Sequence, residues 1–172
     1  MTSFRDFLNQ LEEEGELLRI RDRVSSKFEA SAIIKKLEGK KAVFFEDVDG
    51  LSIPVVAGLC TSEEKLCKAL NIKTDSLYET ILQALNSPKK PQIVENGEVK
   101  EIIEKPNLKK VPILTHYEKD GGPYITSAVV STRSPDGKIG NVSIHRLKVL
   151  DENHLVIRLV PCQLYTLCQT GK

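Results

Sequence analysis

The sequence has no tryptophan, only three histidines and one methionine, and its aromatic residues make up 5% of the 172 positions. Its net charge is +1, so it lacks the strong basic field of a nucleic-acid-binding protein. No apolar run approaches the ~20 residues that span a bilayer, and the N-terminus has no apolar signal core. These absences predict a cytoplasmic protein with neither a membrane span nor a nucleic-acid partner.

The four cysteines offer no recognisable metal or redox motif. Cys60, Cys67, Cys162 and Cys168 are not spaced as Cys-x-x-Cys pairs, and with so few histidines this disfavours a zinc cluster. In a cytosolic chain the expected state is a reduced thiol, largely buried.

Apolar residues make up 40% of the chain and charged residues 28%, which is enough apolar sequence to build a core. In the first ~90 residues, apolar positions at helical spacing alternate with short β-prone runs. Ser3 followed by Asp6 is a capping signal for the first helix. The pattern predicts helices over 4–11, 29–37, 61–70 and 75–85, and strands over 16–21, 41–46 and 53–57.

The second half has a different pattern. A breaker cluster at 87–91 precedes Asn96-Gly97, a hairpin signal. Strands are then predicted over 124–133, 140–149 and 154–160, with a helix beginning after Pro161. Such a meander is typical of a sandwich or barrel. Three strands would leave an unpaired edge, which indicates missing partner strands from a longer chain or another subunit.

One loop stands out, the glycine loop, which comprises Asp120-Gly121-Gly122-Pro123-Tyr124-Ile125-Thr126. Paired glycines next to a rigid proline let backbone approach a ligand closely. An ordinary loop that enters a strand explains the same residues. The loop lacks the lysine of a phosphate-binding P-loop and the third glycine of a dinucleotide fingerprint.

The strand over 141–148 has two polar faces. Asn141, Ser143, His145 and Leu147 alternate with Val142, Ile144, Arg146 and Lys148. Inward polar residues indicate a polar-lined cavity, whereas a solvated edge strand gives the same pattern. Arg146 is suited to bind a carboxylate or phosphate, although it also fits a surface charge. His116 and His154 are weaker candidates, since a lone histidine is commonly structural.

Several ordered blocks resemble one family. They are the opening Ser3-Phe4-Arg5-Asp6-Phe7-Leu8, then 45–50 and 53–56, the run 112–126, Asn141-Val142-Ser143-Ile144-His145-Arg146, and Arg158-Leu159-Val160-Pro161. Together they are similar to the UbiD-type decarboxylases that use prenylated flavin mononucleotide (FMN), and the archaeal members look most similar. The resemblance covers essentially the whole chain.

The resemblance implies an α/β (α+β) fold, with an N-terminal α/β domain over 1–105 and the first strands of a flavin-reductase-like split β-barrel over 106–172. The implied activity is reversible, non-oxidative decarboxylation of an unsaturated or aromatic acid. A mevalonate-derived, phosphorylated unsaturated acid is one candidate by analogy. The implied cofactors are prenylated FMN, supplied by a flavin prenyltransferase, and Mn²⁺, often with K⁺.

Site residues follow from the same resemblance. Asn141 matches a metal ligand, and Arg146 the arginine that positions the substrate carboxylate, which makes it the candidate catalytic residue. The expected cofactor contacts are Asn141, Ser143, Ile144, His145, Arg146, Arg158, Leu159, Val160, Gln163 and Leu164.

The sequence departs from the family in two respects. Cys162-Gln163 stands where relatives commonly have Arg-His, which puts metal affinity in doubt. The family's metal-binding and acid/base glutamates are expected beyond Lys172, so the isolated chain is expected to be inactive. The alternatives are a non-catalytic binding or assembly subunit, or half of a split enzyme. A homo-oligomer or a partner chain would complete the barrel.

Overall fold

Five α-helices and six strands are present among residues 3–89 and 92–170, the part of the chain that the computed structural model describes. Lys90 and Pro91, part of the predicted breaker, lie outside it. The helices are α1 (Phe4–Glu13), α2 (Glu29–Leu37), α3 (Glu63–Leu70), α4 (Leu77–Asn86) and α5 (Gln163–Thr170). The strands are β1 (Leu17–Ile20), β2 (Ala42–Phe45), β3 (Val55–Ala57), β4 (Tyr124–Arg133), β5 (Gly140–Val149) and β6 (Leu155–Ile157).

The chain divides into two compact units that are not simply sequential. The first unit comprises Met1–Arg23, Ile33–Asp47 and Pro54–Lys105. The second comprises Val24–Ala32, Val48–Ile53 and Pro106–Lys172. Two short segments from the first third of the sequence therefore belong to the second unit.

In the first unit, a small mixed sheet packs against helix α1. Strand β2 pairs in parallel with β1 and antiparallel with β3. The core consists of Phe7, Leu11, Leu17 and Ala42. Phe7 and Leu11, four residues apart, lie on the same face of α1 and are buried.

The start of α1 follows the predicted capping signal. The Ser3 hydroxyl accepts from the Asp6 backbone N–H at 3.1 Å, and the Asp6 carboxylate accepts from the Ser3 N–H at 3.3 Å. The helix ends before Gly15, whose φ of +69° is the left-handed conformation that favours glycine.

In the second unit, β4, β5 and β6 form an antiparallel sheet in that order. The predicted turn at 134–137 joins β4 to β5, with the Gly137 N–H donating to the Ser134 carbonyl at 2.8 Å. Helix α5 packs against β4 and β5 and buries Leu164 and Leu167.

The hairpin predicted around Asn96-Gly97 is wrong. Residues 92–105 contain no strand, and Glu98–Lys100 is a short 3₁₀ turn. The β-prone side chains that flank the turn are exposed, with Ile93 at 91%. A two-stranded hairpin without a packing surface is marginal at best, so the turn signal alone did not produce strands.

Two other expectations need correction. The third strand of the meander is shorter than predicted, because β6 ends at Ile157 and not at residue 160. The cysteines are unpaired thiols as expected, but only Cys67 is buried. Cys60 precedes α3 in a turn, and Cys162 and Cys168 lie at the start and on the exposed side of α5.

Candidate functional site

A bulge in β4 lies directly opposite Arg146. Ile125 pairs with Leu147 and Ala128 with His145, so two residues of β4, Thr126 and Ser127, oppose one residue of β5. Bulges increase the local twist and redirect side chains, and they are common beside functional sites. The bulge therefore makes this end of the β4–β5 pair a candidate functional site.

A cleft of about 660 Å³ opens at this end of the sheet. Its basic lining residues are His116, Lys119, Arg146, Lys148 and Arg158. Its other polar lining residues are Tyr117, Asp120, Tyr124 and Thr126. The cleft thus combines β4, β5 and the residues after β6 with the glycine loop, and its charge is predominantly positive.

The glycine loop is closed at its base by backbone hydrogen bonds. The Tyr124 N–H donates to the Leu114 carbonyl at 3.0 Å, and the Thr115 N–H donates to the Ser26 carbonyl at 3.0 Å. Within the loop, the Asp120 carboxylate accepts from the Tyr117 N–H at 2.9 Å. Gly122 has a φ of +128°, a conformation that side chains oppose. The loop is thus an organised wall of the cleft.

The polar face of β5 is the covered one. The Asn141 amide donates to the Ser143 hydroxyl at 3.1 Å, and that hydroxyl lies 2.9 Å from His145 Nε2. Asn141, Ser143 and His145 are half-buried, whereas Ile144, on the opposite face, is 72% exposed. A solvated edge strand would expose its polar residues, so the alternation supports inward polar groups.

One hydroxyl on this covered face has no partner. Thr132 is paired with Asn141 across the strands, and its Oγ1 is buried without a hydrogen bond among the described residues. Leaving a buried hydroxyl unpaired costs about 1–3 kcal/mol. The orphaned atom therefore fits a surface that is built to receive a further polar group.

The structure separates the predicted site residues into two groups. Arg146 and Arg158 line the cleft together, with His116 beside them. Asn141, Ser143 and His145 lie on the half-buried face of β5. The remaining predicted contacts are Ile144, which is exposed, Leu159, which is half-buried, Val160 and Gln163, which are exposed, and Leu164, which is buried.

His154 belongs to a turn outside the cleft. Its Nδ1 lies 2.8 Å from Asp151 Oδ1, and the backbone N–H groups of Asn153 and His154 donate to the same oxygen. The Asn153 N–H, followed by the His154 side chain, holds the pKa of the Asp151 carboxyl below its ordinary value. His154 therefore has a local structural explanation.

Sequence reasoning singled out Tyr124 and Thr126 as members of the glycine loop, but it did not name Lys119 or Lys148 as site residues, although both line the cleft. A signal was available for Lys148, because it shares the face of Arg146 two positions along the strand. Lys119 gave no such signal, since only the fold brings the loop to the strand.

The metal implied by the resemblance finds little support in this region. Within residues 3–89 and 92–170, no three His, Cys, Asp or Glu side chains are grouped to hold an ion. Asn141 offers one amide oxygen, a suitable ligand for a hard cation, but a single ligand does not make a site.

Over the same residues, no helix is long and apolar enough to cross a membrane.

Comparison with known families gives two matches in tandem. Residues 8–85 match the 3-octaprenyl-4-hydroxybenzoate carboxy-lyase N-terminal domain (UbiD_N), and residues 92–169 match the Rift-related domain of the same carboxy-lyase (UbiD).

Curated and solved relatives agree with these matches. The chain is 36% identical over 168 residues to anhydromevalonate phosphate decarboxylase of Methanothermobacter thermautotrophicus. The aligned region covers 98% of this chain and 39% of that relative. It is similar to the UbiD-class enzyme HmfF of Pelotomaculum thermopropionicum, solved with FMN (37% identity, TM-score 0.89, 95% of this chain and 38% of that one). An evolved dimeric form of HmfF, solved with prFMN, gives 36% identity and a TM-score of 0.93, covering 99% and 41%.

These comparisons confirm the predicted fold class, a mixed α/β region followed by strands of a flavin-reductase-like split barrel. The chain spans about two fifths of the length of the relatives it matches.

Proposed function

We propose, on the premise that this chain belongs to the UbiD family of carboxy-lyases, that it supplies the flavin- and acid-binding portion of a decarboxylase. The reaction is the reversible, non-oxidative decarboxylation of an unsaturated or aromatic acid with prenylated FMN. The observation that carries the proposal is that Arg146 and Arg158, from separate segments, line one cleft with the glycine loop.

Arg146 is the residue that we assign to the substrate carboxylate. A guanidinium presents two parallel donors to a carboxylate, and among the described residues no acid forms an ion pair with Arg146. Its place opposite the β4 bulge supports this assignment. Prenylated FMN, when bound, supplies the electron sink that lets CO₂ leave, and the part of Arg146 is to orient the acid.

The polar residues of β5 fit the flavin nucleotide by their chemistry. Ser143 and His145 offer hydrogen-bonding groups, and the Thr132 hydroxyl has no partner in the described part of the chain. Arg158 suits an anionic group. We assign cofactor contacts to these side chains and to the other predicted contacts, Asn141, Ile144, Arg146, Leu159, Val160, Gln163 and Leu164.

Mn²⁺ and K⁺ remain proposals with a single suggested ligand, Asn141. The described residues do not provide a complete ligand set, and Cys162-Gln163 stands where the family commonly has a basic pair. We therefore assign no step of the reaction to a metal through this chain's described residues.

The remaining features of the proposal concern organisation and supply. We propose a domain boundary near residue 105, where the second unit resumes at Pro106. A homo-oligomer or a partner chain would complete the barrel, a flavin prenyltransferase would supply the cofactor, and the location would be cytoplasmic.

A second candidate function is assembly without catalysis. It is favoured by the exposed apolar face of the β4–β5 pair, where Val129, Val142 and Ile144 are each about 70% exposed. Exposed apolar surface of this kind is typical of sites that another surface covers. In this case the chain would hold a partner, and flavin affinity would depend on that partner.

Flavin binding by the chain itself tests the proposal. Titration of FMN and of prenylated FMN, followed by flavin fluorescence, is expected to show saturable binding that Arg158→Gln weakens about tenfold. Lys138→Gln is the matched control, because Lys138 lies in the exposed turn of the same sheet and contacts Asp136. Absence of flavin binding would overturn the proposal, and capture of a barrel-completing chain without flavin would establish the second candidate.

A further inference from the structure

Helix α4 of the first unit exposes its apolar side. None of its ten residues is buried. Tyr78, Ile81, Leu82 and Leu85 recur at the spacing that places side chains on one face of a helix, and they are 39% to 73% exposed. We call these four residues the apolar stripe. An amphipathic helix normally turns such a stripe toward a core, so we expect a further surface to cover it.

A different side of α4 faces the rest of the first unit. Leu77 and Thr80 are the half-buried residues of the helix, and the Thr80 hydroxyl donates to the Ser76 carbonyl at 2.8 Å. At 3.6 residues per turn, Thr80 lies nearly opposite Tyr78 around the helix axis. The helix is therefore held by one side and presents the apolar stripe on the other.

The exposure of apolar side chains continues after the helix. Five large apolar side chains of residues 92–105, also in the first unit, are at least 60% exposed, namely Ile93, Val94, Val99, Ile102 and Ile103. With the apolar stripe they expose on the order of 600 Å² of apolar surface, at roughly 100 Å² for a fully exposed side chain. A standard interface buries about 800 Å² per partner, a little more than half of it apolar. The area is therefore sufficient for a specific dimer.

The apolar stripe is complementary to itself. A two-fold axis through the midpoint between Ile81 and Leu82 pairs α4 with a second copy in the antiparallel direction. Ile81 then faces Leu82 of the second copy, and Tyr78 faces Leu85. Such an interface uses the same residues on both copies and closes on itself, which is the commonest symmetry of protein dimers.

The charges at the two ends of the helix agree with this orientation. Asp75 precedes the midpoint by about as many residues as Lys89 follows it, so each Asp75 comes beside the Lys89 of the second copy. Glu79, the one charged residue within α4, faces Ala84 and not another acid. A parallel pair would instead set like charges against each other, which is unfavourable at an interface. Charge complementarity therefore favours a second, antiparallel copy as the occupant.

We propose that the apolar stripe of α4 is an interface between two copies of this chain, paired antiparallel about the midpoint between Ile81 and Leu82. The interface belongs to the first unit, whereas the cleft and the β4–β5 sheet belong to the second. The inference therefore depends neither on the proposed function nor on completion of the barrel.

The test is the oligomeric state of the 172-residue chain, followed by sedimentation velocity from roughly 5 to 500 µM. A reversible dimer is expected. Leu85→Glu should raise its dissociation constant about a hundredfold, because each dimer contains the residue twice. Val142→Glu on β5 is the matched control, since Val142 is 70% exposed and Leu85 71%, and it should change the constant by less than about twofold. Circular dichroism should show both variants folded.

A charge exchange tests the orientation of the pair. Asp75→Lys and Lys89→Asp each set like charges together, so each should weaken the dimer about threefold to tenfold. The double variant restores opposite charges and should return the dissociation constant to within about twofold of the wild type. Added salt should shrink the effect of both single variants.

Three results would contradict the proposal. Monomers at every concentration would overturn it and leave the apolar stripe to a different partner. A dimer that Val142→Glu breaks and Leu85→Glu does not would place the interface on the β4–β5 sheet. If Leu85→Glu breaks the dimer but the double charge variant stays as weak as the single ones, the antiparallel pairing is wrong.

Discussion

The two small sheets of this protein bury opposite kinds of residue. In the first unit, strand β2 buries Ala42, Val43 and Phe45. In the second, strand β5 covers Asn141, Ser143 and His145 and exposes Val142 and Ile144. The first sheet thus buries apolar side chains in a hydrophobic core, whereas the second covers polar side chains and exposes apolar ones. We therefore expect the strand side chains of the first sheet to contribute more to stability than those of β5.

The charged side chains follow the same division. In the first unit, Arg19 contacts Glu12 at 2.6 Å and lies over the Phe44 ring at 4.5 Å, and Lys68 contacts both Glu14 and Glu16 at 2.5 Å. In the cleft of the second unit, no described cation has such a partner. Paired charges support a fold, whereas unpaired cations in a cleft are available to a ligand.

The largest expected effect contrasts one apolar residue from each sheet. Phe45→Ala should lower the free energy of unfolding by about 3–5 kcal/mol, because Phe45 is fully buried. Ile144→Ala, at an exposed site, should stay within about 0.5 kcal/mol. Urea unfolding followed by circular dichroism measures both. Similar losses from the two variants would show that the second sheet is also an apolar core.

Leu164→Ala sharpens the comparison within the second unit. Leu164 is 3% exposed on α5, so truncation should cost about 2–4 kcal/mol. Tyr165→Ala on the same helix, at 40% exposure, is the control and should cost less. A negligible effect of Leu164→Ala in urea unfolding would mean that the packing of α5 does not stabilise the second unit.

Thr132→Val tests whether the covered polar face is kept for a ligand. Replacing the unpaired hydroxyl with an isosteric methyl group should raise the free energy of unfolding of the ligand-free chain by about 1 kcal/mol. The same change should weaken FMN binding if the hydroxyl serves the cofactor. Destabilisation, with FMN affinity unchanged, would contradict this interpretation.

The smallest effect is a dependence on pH in both units. The Lys68 ammonium, followed by the Gln10 amide, lowers the pKa of Glu14, and the Asn153 N–H, followed by the His154 side chain, lowers that of Asp151. A carboxyl with a lowered folded-state pKa stabilises the fold above its unfolded pKa, about 4, and this contribution is lost as the pH falls through the folded value.

Thermal melts between pH 6 and pH 3 should therefore show a falling melting temperature, and Glu14→Gln and Asp151→Asn should each make the fall shallower. Added salt should reduce the Glu14 contribution more, since that one depends chiefly on an exposed ion pair. A melting temperature that rises toward pH 3 would contradict both assignments.

The sequence by itself determined the local structure. The capping box at Ser3 and Asp6, the bounds of α2 and those of β4 and β5 follow from short-range spacing, because helix and strand periods are properties of neighbouring residues. The hairpin at Asn96-Gly97 failed because a turn signal needs strands with a surface to pack on.

Only the tertiary structure decided the site. That Arg146 and Arg158 share a cleft, that Gly121 lies against Lys148, and that the polar side of β5 is the covered one depend on pairings between residues distant in sequence. Spacing along a strand gives two faces but not which of them is buried, since burial is a property of what packs against the strand. The sequence thus predicted candidate residues for chemistry, and the fold decided which of them lie together.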